Sequence, residues 1–94
     1  MSVLEQVEVS GAVGKQTFGA GRPVKLQSLV LHTPVSAATV EVRDGNASGD
    51  LKMGLTAPVG DSKPIQFSEE GVRFDKGMHV QVVGVGSSAF LEIN

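Results

Sequence analysis

The sequence predicts an all-β protein: a small antiparallel β-sandwich or jelly roll of about eight short strands. Two observations carry this. Apolar residues recur two positions apart in one short segment after another, the period of a strand with one buried face. Clusters of glycine, proline, aspartate and asparagine separate those segments at regular intervals, as tight turns require. No stretch has the spacing of a helix of useful length, so an all-parallel sheet, which needs covering helices, is excluded.

Residues 3–10 alternate Val3, Glu5, Val7 and Val9 against Leu4, Gln6 and Glu8, and form the first strand. Residues 11–21 hold four glycines. Apart from a brief strand around residues 15–18, they are expected to be loop or exposed hairpin. Arg22-Pro23 introduces a strong strand over residues 24–32. Its inward set changes parity from Val24 and Leu26 to Leu29 and Leu31 after Ser28, the signature of a β-bulge or of burial on both faces. Pro34 breaks it, since proline cannot donate to a central ladder.

In residues 38–44, Ala38, Val40 and Val42 point inward and Thr39, Glu41 and Arg43 outward. After the turn at residues 44–50, residues 51–57 place Leu51, Met53, Leu55 and Ala57 on one face, and residues 64–67 make a short strand. Gly71-Val72-Arg73-Phe74-Asp75-Lys76-Gly77-Met78-His79-Val80-Gln81-Val82 is the centre of the pattern. Val72 and Phe74 share a face, and so do Met78, Val80 and Val82, while Arg73, His79 and Gln81 oppose them. Asp75-Lys76-Gly77 reads as a turn in which Gly77 takes a positive φ. That second strand runs to residue 85, and residues 89–94 close the chain with Ala89, Leu91 and Ile93 opposed to Phe90 and Glu92.

The 94 residues suffice for one domain, 1–94, that buries roughly 60–65% of its unfolded surface. With no cysteine, tryptophan or tyrosine and four phenylalanines, the core must be aliphatic and held by packing alone. A net charge of −2, spread without blocks, argues against nucleic-acid binding, which needs a clustered basic face. No apolar run approaches the roughly 20 residues of a membrane span. The first residues lack a basic region followed by an apolar one, so the chain is expected to fold in a cytoplasm.

No catalytic residues, cofactor site or metal site are expected. Asp44, Asn46, Ser48 and Asp50 alternate as in a calcium loop, but the completing glutamate is missing and a hairpin turn explains them. His32 and His79 have no companion ligands, and His79 is expected to be solvated or at an interface. Glu69 and Glu70 are neighbours on a strand and so face apart. No serine sits in a Gly-x-Ser-x-Gly elbow, and the glycine-rich stretch lacks a Gly-Lys-Ser/Thr ending. A carbohydrate-binding module is a rival reading, although such modules use exposed aromatic rings and this chain has few.

Ala38-Thr39-Val40-Glu41-Val42-Arg43-Asp44-Gly45, Leu51-Lys52, Ile65-Gln66-Phe67, the stretch from Gly71 to Val80 and the closing strand resemble small virion proteins of tailed bacteriophages. The resemblance covers roughly residues 24–94. The chain departs from it at Met78-His79, where an aromatic is common, and in the glycine-rich segment before Arg22. What it implies is a structural protein in the virion, assembled in the host cytoplasm. Such a protein would be a capsid decoration (cement) protein bound to the major capsid protein lattice as a homotrimer, or a neck or tail adaptor or fibre-anchoring piece. On that expectation residues 1–21 form a contact arm, with Val3, Leu4, Lys15 and Phe18 as candidate lattice or subunit contacts. A flexible surface excursion for residues 11–21, and a core plug for Phe18, are the plainer alternatives.

Overall fold

The computed structural model describes residues 3–9, 11–66 and 71–93. It is all-β, with nine strands among the described residues. These are β1 (Val3–Glu8), β2 (Val13–Phe18), β3 (Val24–Thr33), β4 (Ala38–Asp44), β5 (Leu51–Ala57), β6 (Asp61–Gln66), β7 (Val72–Phe74), β8 (Met78–Val83) and β9 (Ser88–Ile93).

One sheet, A, has the order β1-β9-β3-β6, with β7 also paired to β3; the other, B, has the order β2-β8-β4-β5. Every ladder is antiparallel. β6 pairs with residues 28–33 of β3 and β7 with residues 24–26, so together they fill one strand position beside β3. The result is eight strand positions in two four-position sheets, with the chain crossing between sheets at all connections except β4–β5 and β6–β7. This is the double Greek key of a jelly roll.

The core lies between the sheets. Sheet A contributes Leu26, Leu29, Leu31 and Leu91, and sheet B contributes Val40, Val42, Met78, Val80 and Val82, all fully buried. Phe74 is fully buried with them. The parity change in β3 is a bulge: Leu26 pairs Ile93 and Ser28 pairs Glu92, leaving Gln27 as the extra residue. Both inward pairs of β3 therefore stay on the core side. Gly77 has φ +97°, and a Cβ there would lie 2.7 Å from the Gly19 carbonyl oxygen, so the turn needs glycine for conformation and for space.

Two expectations are corrected. The glycine-rich stretch is not mostly loop, because residues 13–18 form β2, a full edge strand paired with β8 over six residues. Of residues 1–21, expected as an arm, Val3–Glu8 and Val13–Phe18 are built into the sheets, β1 at an edge of sheet A and β2 at an edge of sheet B. Met1, Ser2, Ser10, Phe67, Ser68, Glu69, Glu70 and Asn94 lie outside the described residues.

Candidate docking surface

The outer face of sheet A is set by register. Gln6 of β1 pairs Phe90 of β9, Phe90 pairs Val30 of β3, and Val30 pairs Pro64 of β6, so three apolar residues stand side by side across the sheet. Phe90 is 40% exposed, Pro64 is exposed and Val30 is half-buried. A phenylalanine placed at mid-sheet and left open to solvent has no packing role on the inside, where Ala89 and Leu91 already fill the core.

Polar rows flank it on both sides. In one, Leu4, Glu92 and Ser28 are neighbours, and the Ser28 hydroxyl donates to Glu92 Oε1 at 3.3 Å. In the other, Glu8, Ser88, His32 and Ser62 are neighbours, and His32 Nδ1 is 2.8 Å from Ser62 Oγ. Gln6 donates to Glu8 Oε1 at 2.9 Å. Acids occupy the β1–β9 half, and Lys25 with Arg73 occupies the β3–β7 half, where Arg73 pairs with Asp75 at 2.7 Å. An apolar centre inside a polar, internally hydrogen-bonded rim is the anatomy of a protein–protein contact.

The residues expected to make contacts do not converge. Leu4 is 79% exposed and Val3 is exposed on β1, Leu4 beside this face. Lys15 is exposed on the outer face of sheet B, in the other layer. Phe18 is buried beside Met78 and belongs to the core, so it is no anchor. Sequence reasoning missed Phe90, Val30 and Pro64 because each is a single apolar residue on the outward parity of its strand.

On the outer face of sheet B, His79 lies between Thr17 and Arg43. Of the two expectations for it, solvated or at an interface, the solvated one is corrected: it is buried, its Nδ1 is 2.9 Å from Thr17 Oγ1, and its Nε2 is buried without a hydrogen-bond partner. Burial first, then the charges of Lys15 and Arg43, holds its pKa below the usual 6.5.

The β2–β3, β4–β5 and β7–β8 loops gather at one end of the sandwich. Gly21 N–H donates to Lys76 O at 3.0 Å, Gly45 N–H to Gly77 O at 2.8 Å, and Lys76 N–H to Asp44 Oδ1 at 3.1 Å. They surround an open hollow of about 660 Å³ lined by Thr17, Asp44, Asn46, Ser48 and Lys76, with no aromatic ring in its wall. Asp44 and Asn46 spend side-chain oxygens on backbone N–H groups of Lys76 and Ser48, so the alternating acids and amides work as turn supports. Among the described residues, no three histidine, cysteine or acidic side chains come together as metal ligands.

No protein-family model matches this chain, and no curated protein does. A solved structure from Bacillus endospore appendages, described as a novel family of disulfide-linked pili, superposes with a TM-score of 0.59. At 11% identity it covers 99% of this chain and 83% of its own, a likeness of fold.

Proposed function

We propose that this chain is a structural protein of a tailed-bacteriophage virion, a decoration (cement) protein that docks on the outer head surface and bridges neighbouring coat subunits. The observation that supports this best is the Phe90–Val30–Pro64 row across the middle of sheet A, framed by hydrogen-bonded polar rows. A flat face of that kind suits a flat protein surface better than a small molecule. Binding only the assembled lattice stabilises that lattice by mass action, and several copies acting together multiply a modest single contact. A trimer at a symmetry axis is the arrangement that the phage resemblance favours.

Particles assembled without this chain should release their genome at lower temperature or milder osmotic shock than particles that carry it. Equal robustness removes the cementing role. Copy number then separates head from tail: a decoration protein rivals the coat protein in amount, whereas a neck or tail adaptor is present in a handful of copies.

The appendage structure places a similar fold in a disulfide-linked pilus. This chain has no cysteine, so its own residues cannot form such a disulfide. A glycan-binding reading would use the hollow at the polar end, whose hydroxyl, amide and carboxylate groups suit sugar hydroxyls. It ranks behind both virion readings because that wall offers no ring for stacking. Competable binding on a glycan array would promote it.

A further inference from the structure

Among the described residues, five of the nine large apolar side chains left exposed are valines at one end of the sandwich: Val13, Val35, Val59, Val83 and Val85. The topology gathers them. Val13 and Val83 are register partners on β2 and β8, and Gly84 N–H donates to Ala12 O at 3.0 Å just beyond them. The Ser36 hydroxyl donates to Val85 O at 3.0 Å, tying the β3–β4 loop to the β8–β9 loop. Val35 lies against Gly86, where an added Cβ would come within 3.2 Å of Val35 Cγ2. The β5–β6 turn carrying Val59 is fastened to the same region through Gly60 N–H to Thr33 O and the Thr33 hydroxyl to Pro58 O.

Among the described residues of the four connections at this end, 9, 11–12, 34–37, 58–60 and 84–87, none is charged. Elsewhere the surface is charged. Lys15, Glu41 and Arg43 stand on sheet B, Glu92, Lys25 and Arg73 on sheet A, and Arg22, Asp50, Asp75 and Lys76 at the opposite end, while Glu8 and Asp61 border the valine end at the tips of β1 and β6. A second copy brings the same net charge of −2 and the same charge pattern, so association of like chains is opposed wherever those charges meet. Bordered by Glu8 and Asp61, the valine end is still the least charged of these surfaces, so identical copies meet the fewest like charges there. Branched, stiff side chains on short, cross-tied loops also lose little conformational entropy when covered.

We infer that identical copies of this chain associate through the valine-tipped end, around a rotation axis that brings Val35, Val59 and Val85 of each copy together. The contact leaves the outer face of sheet A free, and it does not depend on whether the particle that face meets is a phage head.

Sedimentation of the purified chain over a concentration series tests this, with Val35→Lys and Val85→Lys beside it and Phe90→Ser as control. The unmodified chain should reach two or three times the 9.8 kDa of one copy. Each lysine variant should shift association to at least about tenfold higher concentration, with unchanged circular dichroism and melting temperature, and Phe90→Ser should associate as the parent does. A parent that stays monomeric throughout, lysine variants that associate normally, or loss of association in Phe90→Ser would each overturn the inference. A monomer whose lysine variants fail to bind particles would assign the valine end to the lattice instead.

Discussion

Phe90→Ser is the most informative single change for the docking face. In the free chain 40% of this residue is exposed. A phenylalanine presents about 200 Å² in total, so docking covers about 80 Å² more of it, which at about 25 cal/mol per Å² is about 2 kcal/mol. At 1.4 kcal/mol per decade the variant should bind particles about 30-fold more weakly per copy. The folded chain should tolerate the change, since the core beneath is filled by Ala89 and Leu91. The assay is titration of purified chain onto particles assembled without it, followed by pelleting. Retained parental affinity, with melting confirming a folded variant, would refute the assignment of this face.

Other consequences test the fold and the buried imidazole of His79. Leu29→Ala removes a fully buried side chain from the centre of sheet A and should cost about 3–4 kcal/mol in denaturant unfolding. Gly14→Val places a Cβ against the Glu8 carbonyl oxygen at the β1–β2 corner and should cost about 2–3 kcal/mol, whereas Gly54→Ala, with nothing nearer than 3.7 Å, should be close to neutral in the same measurement. His79 has a folded-state pKa below its unfolded 6.5, so the unfolded chain takes up the proton more readily. Stability should therefore be full above pH 6.5 and decline as pH falls below it, and His79→Gln should flatten that part of the profile in melting scans.

Much of the fold was legible because it is written in local alternation. The inward sets of β4, β8 and β9 are those the spacing indicates, the Leu26-to-Leu29 parity change is a real bulge, and Gly77 has the positive φ its turn demanded. β2 was legible only as a brief strand around residues 15–18, because its inward positions are Gly14, Gln16 and Phe18; pairing with β8, not its own pattern, extends it to six residues. His79 obeys the outward parity yet is covered by its cross-strand neighbours, which parity cannot reveal. The docking row and the valine end were hidden for the same reason. Phe90, Val30 and Pro64, like Val35, Val59 and Val85, are far apart in sequence and become neighbours only through the register and connections of the jelly roll.

The absence of cysteine from the sequence makes site-directed labelling clean. Gln6→Cys places one thiol beside Phe90 on sheet A, and Lys15→Cys places one on sheet B as a reference. In the free protein both should react with a maleimide. On particles, position 6 should become protected while position 15 stays reactive; equal labelling at position 6, free and bound, would contradict a sheet A face that docks on a large assembly.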